Sequence, residues 1–292
     1  MEHIATKIRE LRKTGQDPLL GLSIVYSISA DYYYADVQET RDILTIEGNG
    51  TVTRLSTNDQ RNPENPPGKW SGTIARADLE AFVKRLEAGG IDLPSGGRGS
   101  PMVSEPYEVL HVKIAGVEGE VGRRGVQMRP KPCGFDDLRP FLNRWAEACK
   151  KPLWKLSLEA IDPKVEGKRI HATLRFSNHG TQAIKIPHPA SPTKDDAIRL
   201  AFFHYLPQVT EPGFTPLPLE ITEATLDLPK TNQVEWITIG PDGWWDLVIS
   251  QEVSGPPGPK SEVFFQFRTH LPISNGKPES FQGTVTSVAL KL

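Results

Sequence analysis

The sequence contains little cysteine and no excess of charge of either sign. Its two cysteines, Cys133 and Cys149, are too few for the disulfide framework on which small secreted domains depend. The 34 basic residues are balanced by 36 acidic ones, with no dense run of lysine and arginine. Because a nucleic-acid-binding surface needs a basic face to neutralise phosphates, this balance argues against a nucleic-acid partner.

Long apolar runs are also missing from the N-terminus. Residues 1–14 alternate charged side chains with single apolar ones, whereas a signal peptide or membrane anchor requires an uninterrupted apolar stretch. We therefore expect no membrane partner and a cytosolic location in which both thiols stay reduced.

Motifs that fix catalytic chemistry by their spacing are absent as well. The glycine-rich stretch 96–100 lacks the Gly-Lys-Ser/Thr ending of a phosphate-binding loop, and the sequence has no Gly-x-Ser-x-Gly elbow. The histidines of the second half show neither His-x-x-x-His nor Glu-x-x-His spacing. They are His171, His179, His188, His204 and His270. We therefore expect no cofactor and no bound metal.

Two weaker signals have ordinary structural explanations. Cys133 and His111 are the only pairing available to a cysteine nucleophile in the first half, but lone loop cysteines are mostly unreactive. Cys149 lies on the apolar face of a predicted helix and is expected in the core. Residues 122–125 match the short loop of KH nucleic-acid-binding modules, which lies between helices, whereas strands are predicted around it here.

A length of 292 residues favours two domains. Apolar residues recur at helical spacing in three segments of the first half, and alternating or β-branched runs separate them. The predicted helices cover 3–13, 76–88 and 135–150, and the predicted strands 22–28, 32–37, 43–46, 51–55, 107–114 and 120–127. Gly48-Asn49-Gly50 predicts a tight hairpin. Residues 1–151 are thus predicted to form an α+β domain with an antiparallel sheet.

The second half shows only short strand patterns between turns rich in proline and glycine. Nine are predicted, at 154–160, 169–177, 183–186, 200–205, 217–222, 234–239, 244–249, 263–269 and 283–290. The segment 171–180 ends a strand with Asn178 before a turn, and Gly240-Pro241-Asp242-Gly243 precedes Trp245-Asp246-Leu247. These segments resemble bacterial immunoglobulin-like domains, which implies an all-β immunoglobulin-like sandwich over 153–292.

The run Asp31-Tyr32-Tyr33-Tyr34-Ala35-Asp36 is the main candidate binding site. Consecutive residues of a strand point to opposite faces, so at least one tyrosine is expected to leave the core. Exposed tyrosine beside carboxylates has the composition that protein interfaces favour. The alternative is a sheet covered on both faces or an aromatic cross-strand pair. We predict a partner-binding surface formed by Asp31, Tyr32, Tyr33, Tyr34 and Asp36.

Adjacent tryptophans at Trp244 and Trp245 pose the same question, because one ring must leave the core. That ring is available for carbohydrate stacking or protein contact, unless it packs against the first domain.

The absence of catalytic motifs favours a cytosolic protein-binding module without catalytic activity. A bacterial immunity protein that neutralises a toxin is the most concrete form of this hypothesis, with another protein, such as a basic toxin, as its partner. The alternatives are a scaffold subunit of a larger assembly and a hydrolase whose active site is assembled from distant residues.

Overall fold

The structure is a computed structural model. It describes residues 1–30, 40–57, 67–91, 106–124, 134–191, 198–207, 218–225, 234–252, 262–269, 283–287 and 290–291. The chain divides into two compact units. Unit 1 comprises residues 1–56 and 69–153, and unit 2 comprises residues 57–68 and 154–292.

Unit 1 combines three helices with a largely antiparallel sheet, so the predicted α+β class is confirmed. The helices are α1 (Glu2–Lys13), α2 (Arg76–Glu87) and α3 (Arg139–Ala148). The strands are β1 (Ser23–Ala30), β2 (Thr40–Glu47), β3 (Thr51–Ser56), β4 (Gly68–Thr73), β5 (Pro106–Ile114) and β6 (Val117–Arg124). Their order in the sheet is β4-β3-β2-β1-β5-β6.

The hairpin between β2 and β3 forms where the glycines predicted it. Gly50 has a φ of 89°, a conformation that residues with a Cβ rarely adopt. Its carbonyl accepts a 2.8 Å hydrogen bond from the Ile74 N–H, which ties the turn to the segment between β4 and α2.

Helix α3 begins four residues later than its apolar stripe predicts. The prediction placed Asp136 and Asp137 in the first turn, but the helix starts at Arg139, with proline at its second position. Proline fits the first turn of a helix because those N–H groups have no partner within the helix. Asp137 instead pairs with Arg85 at 2.7 Å, and Asp136 lies 3.9 Å from Arg139.

The core of unit 1 lies between the helices and one face of the sheet. Ile24, Leu44 and Leu110 are buried on neighbouring strands. From the helices, Phe82 and Trp145 meet with ring centroids 5.0 Å apart. Alternate strand residues and one stripe of each helix therefore supply the buried apolar area, as the periodicity predicts.

Unit 2 is built from strands in its described part, and the first of them starts in the last three residues of unit 1. The strands are β7 (Lys151–Glu166), β8 (Arg169–Asn178), β9 (Ile184–Pro187), β10 (Ile198–Pro207), β11 (Pro218–Thr225), β12 (Trp236–Ile239), β13 (Trp244–Glu252), β14 (Glu262–Thr269), β15 (Gly283–Thr286) and β16 (Leu290–Lys291). Strands that are hydrogen-bonded to each other follow the orders β13-β8-β7, β12-β9 and β11-β10-β14-β15, and β16 pairs with β14.

Buried aromatic residues join two of these sheets within unit 2. Phe176 of β8 meets Phe267 of β14 edge to face, with centroids 5.3 Å apart. Ile170, Ala172 and Leu174 are buried on the same side of β8 as Phe176. That face of β8 therefore belongs to the core, and the opposite face is available for other contacts.

None of the helices in the described ranges is both long enough and apolar enough to cross a membrane.

Candidate functional site

Strand β13 presents large apolar side chains to solvent. Trp244 is 62% exposed and Val248 is 78% exposed, while Ile249 is buried on the opposite face. Asp246 is exposed between Trp244 and Val248. Because alternate residues of a strand share a face, these three side chains lie on one surface of the β13-β8-β7 sheet.

Asn178 fixes the start of β13. Its backbone N–H donates a 2.9 Å hydrogen bond to the Gly243 carbonyl. Its buried side-chain amide donates to the carbonyls of Gln182 and Gly240 at 2.8 and 3.1 Å. These bonds hold the turn before β13 against the end of β8, and they set the position of Trp244.

Strand register places the outward residues of the three strands in rows. The first row is Trp244, Ser177 and Ser157, the second Asp246, Arg175 and Glu159, and the third Val248, Thr173 and Ile161. Directly paired residues point to the same face of a sheet. The charged row therefore lies between Trp244 of the first row and the two apolar residues, Val248 and Ile161, of the third row. We call this surface the β13-β8-β7 face.

Arg175 joins the tryptophan to the charged row. Its guanidinium donates to both carboxylate oxygens of Asp246, at 2.8 and 2.7 Å, and its Cζ lies 5.1 Å from the centroid of the Trp244 ring. The hydrogen bond with Asp246 raises the pKa of Arg175 and lowers the pKa of Asp246. The two hydrogen bonds to Asp246 fix the guanidinium of Arg175. The guanidinium stacks on the ring of Trp244 and holds it in one orientation, although solvent covers most of the ring.

Trp245 lies on the other face, as expected for neighbouring strand residues. Its ring centroid is 5.5 Å from that of Phe176 and 5.3 Å from that of His188. One tryptophan of the pair is therefore part of the unit 2 core, and the other is the exposed one.

One serine–histidine pair has the geometry that a nucleophile requires. The Ser157 Oγ lies 2.9 Å from Nε2 of His179. Hydrolytic dyads of this kind normally need a third group that orients the imidazole. Within the described ranges, no carboxylate forms a hydrogen bond or ion pair with His179. The pair lies at the end of the first row of the β13-β8-β7 face.

Other sequence candidates do not form a site in the described structure. Cys149 is buried as expected, and its thiol donates to the Trp145 carbonyl at 3.5 Å. Burial raises the pKa of this thiol to about 11, which keeps it protonated at neutral pH. Within the same ranges, no group of three or more histidine, cysteine, aspartate or glutamate residues is arranged for a metal ion.

The main predicted binding site lies outside the described residues. This holds for all five of its members, Asp31, Tyr32, Tyr33, Tyr34 and Asp36. Cys133 and the glycine-rich stretch 96–100 also lie outside them, so the pairing of Cys133 with His111 stays a prediction. Residues 122–124 form the end of β6.

Sequence reasoning identified Trp244 but missed Arg175, Asp246 and Val248. The pattern of β13 does indicate the exposure of Val248, because Val248 shares a face with Asp246 and Ser250, whereas Trp245, Leu247 and Ile249 make the other face apolar. Arg175 and Asp246 are 71 residues apart, and nothing in the local pattern joins them.

Comparisons with known proteins identify no family and no related curated sequence, because no protein-family model and no curated protein sequence matches the chain. Among solved structures, the crystal structure of MHC-like MILL2 aligns with 85% of this chain and 97% of its own, at 12% identity and a TM-score of 0.17. A TM-score this low supports no argument about fold or function.

Proposed function

We propose that this protein is a non-catalytic protein-binding module and that the β13-β8-β7 face is a contact surface for its partner. The observation that carries the proposal is the exposure of Trp244 and Val248 beside an ion pair that fixes the tryptophan. A large ring held in place loses little conformational entropy on binding, and tryptophan and arginine are enriched among residues that dominate interface energetics. Among the described strands, β13 pairs only with β8, so its outer edge also offers backbone hydrogen bonds.

The finer form of the proposal rests on the sequence. In this form, unit 2 is an immunoglobulin-like sandwich and the protein is located in the cytosol. Its function is that of a bacterial immunity protein that neutralises a toxin. The scarcity of cysteine, the balanced charge and the absence of catalytic motifs support this form. A scaffold subunit of a larger assembly would use the same face, but its partner would have no toxic activity.

The test begins with capture of the partner from the native host by the full-length protein. Trp244→Ala should then weaken binding by about 2 kcal/mol or more, because an interface hot spot loses its anchor. The melting temperature should stay nearly unchanged, since most of this ring is already in water. Trp245→Ala is the matched control, and it should lower the melting temperature through loss of the contacts with Phe176 and His188.

Unchanged affinity in Trp244→Ala and Val248→Ser, each folded like the parent, would remove the β13-β8-β7 face from the interface. The immunity form requires in addition that the captured partner is toxic alone and inactive in the complex. A harmless partner would favour the scaffold role.

We also propose that the tyrosine run Asp31–Asp36 contributes to binding, with its carboxylates steering a basic partner. Alanine at the interface tyrosine should cost about 2 kcal/mol of binding, and added salt should slow association by screening Asp31 and Asp36. Single substitutions at Tyr32, Tyr33 and Tyr34 show which of these side chains contacts the partner and which contributes to the core. If each one lowers the melting temperature and none changes affinity, the tyrosines belong to the core.

The hydrolase alternative has one specific observation in its favour, the contact between Ser157 and His179. A fluorophosphonate probe tests it, because an activated serine would react and Ser157→Ala would abolish the labelling. The binding-module proposal expects no labelling of Ser157 above that of denatured protein.

A further inference from the structure

A cavity of about 260 Å³ opens in unit 1 between α3 and the strands β1 to β3. Apolar side chains from both the sheet and the helix form its wall, and charged side chains lie around it. Leu44 and Leu142 are among its apolar lining residues, and the charged ones are Asp42, Arg54 and Glu147. The β13-β8-β7 face belongs to the other unit, so this cavity is a separate feature.

Among the described residues, the charged groups of the cavity are incompletely paired. Asp42 and Arg54 meet through a single contact of 3.3 Å, between Nη2 and Oδ1. The Arg175–Asp246 pair of unit 2, in contrast, has two hydrogen bonds of 2.8 and 2.7 Å. The second oxygen of Asp42 therefore keeps its capacity to accept a hydrogen bond. With Glu147 included, two carboxylates and one guanidinium give the lining a net negative charge.

A neighbouring carboxylate does not alter this balance. Tyr26 lines the cavity, and its pKa is raised by burial, which is the larger cause, and by Glu108, which lies close to its hydroxyl. Arg139 donates to both oxygens of Glu108, at 2.5 and 2.6 Å, and so neutralises it. The negative charge that faces the cavity therefore comes from Asp42 and Glu147.

We propose that this cavity binds a small primary amine with a branched aliphatic body. The ammonium group would lie between Asp42 and Glu147, because a carboxylate accepts strong, charge-assisted hydrogen bonds from an ammonium donor. The aliphatic body would contact Leu44 and Leu142, where burial of its surface is favourable. A volume below the roughly 300–1,000 Å³ of drug-sized sites suits a small molecule.

The probe is 3-methylbutan-1-amine, titrated into the full-length protein and followed by changes in its amide NMR spectrum. Two molecules of similar shape separate charge from shape, the neutral 3-methylbutan-1-ol and the anionic 4-methylpentanoate. We expect the amine to bind at least about tenfold more tightly than the alcohol, a ratio typical of one charge-assisted hydrogen bond, and the carboxylate to bind least.

Variants connect the binding to this cavity. Asp42→Asn and Glu147→Gln should each weaken amine binding several-fold, and Ala146→Leu should block it by filling the space beside Leu142. Asp17→Asn is the matched control, because Asp17 is an acidic residue of the same unit that pairs with Arg76 at 2.7 Å and does not line the cavity. Glu147 is exposed on α3, so its variant tests the proposal even if Asp42→Asn unfolds.

Several results would overturn the proposal. They are equal binding of the amine and the alcohol, preference for the carboxylate, an equal loss in Asp17→Asn, and absence of any amine binding. None of these experiments involves the protein partner, so the cavity proposal and the proposed function stand or fall separately.

Discussion

Asn178 shows how one buried polar side chain can organise several segments. Its Nδ2 donates to the carbonyls of Gln182, Ile239 and Gly240, and its Oδ1 accepts from the Lys155 N–H at 3.4 Å. Lys155 lies in β7, Gln182 precedes β9, and Ile239 and Gly240 lie at the end of β12. Because the residue is fully buried, water cannot replace a lost partner.

Asn178→Ala should therefore destabilise the protein by about 2–3 kcal/mol, since the buried Ile239 carbonyl and the partly buried Gln182 and Gly240 carbonyls lose their donor. Urea unfolding followed by tryptophan fluorescence measures the loss. The control Asn143→Ala removes an exposed asparagine from α3 and should change stability by less than about 0.5 kcal/mol. A loss as small in Asn178→Ala would show that the carbonyls find other donors.

Cys149 should be chemically silent in the folded protein. Burial raises the pKa of its thiol to about 11, whereas an unfolded chain ionises its cysteine near its ordinary value of about 8.5. Because the folded-state pKa is the higher one, ionisation of this thiol favours the unfolded chain. The free energy of unfolding therefore has its full value, as far as this thiol is concerned, below about pH 8.5 and falls as the pH rises toward 11. In a Cys133→Ser background, a thiol reagent at pH 8 should react very slowly with the native protein.

The same reagent should modify one thiol per chain rapidly once the protein is denatured. Fast modification of the native Cys133→Ser protein would contradict the buried, protonated thiol. It would also make Cys149 a candidate nucleophile, a role that its predicted place in the core argued against.

At the scale of elements, the sequence pattern predicts most helices and strands in the described ranges. Alternation and helical spacing are local properties, and they identify α1 over Glu2–Lys13 and α2 over Arg76–Glu87 within a residue or two of the prediction. Strand β4 was not predicted, because Gly68–Thr73 is short and contains two glycines. The predicted strand 32–37 lies outside the described residues.

The candidate site could be predicted only in part, because the sequence pattern is local and the site is not. Each of its strands has a clear local pattern, but its function depends on register between strands that are distant in sequence. The register that sets Arg175 opposite Asp246 arises from packing across the sheet. The exposed ring of Trp244 could be predicted from its neighbour Trp245, whereas the ion pair beneath it could not.

The β2–β3 hairpin should be sensitive to a methyl group at Gly50. A Cβ there would lie 2.6 Å from the Ile74 carbonyl oxygen, and the φ of 89° is unfavourable for any other residue. Gly50→Ala should cost at least about 2 kcal/mol by urea unfolding. Gly15→Ala is the control, because Gly15 has a φ of 69° and no atom near its missing Cβ, so only the backbone penalty of about 1 kcal/mol applies. Equal losses in the two variants would mean that the contact with Ile74 relaxes at no cost.

At the scale of the whole molecule, the two units interleave along the chain. Residues 57–68 belong to unit 2 although they lie between two segments of unit 1. The Leu156 N–H donates to the Pro67 carbonyl at 3.1 Å, which joins this segment to β7 inside unit 2. Strand β7 begins at Lys151, so the chain near the proposed boundary has strand structure.

The sequence predicts that residues 1–151 and 153–292 each fold independently, because each contains enough apolar residues for its own core. Separate expression should give two fragments with well-dispersed amide NMR spectra. Poor dispersion in both fragments would refute independent folding. Adding the peptide 57–68 to fragment 153–292 then shows whether that segment completes the second fragment.

The pairing of β8 with β13 also determines when the β13-β8-β7 face can come into existence. These strands meet across more than sixty residues of intervening chain, as in the 71-residue separation of Arg175 and Asp246. Closing so long a loop costs entropy before the contacts are gained, so such pairings form slowly. During synthesis, Arg175 and its neighbours emerge long before the strand that carries Trp244. A chain interrupted before β13 would thus have the first strands of the face but neither its tryptophan nor its central ion pair.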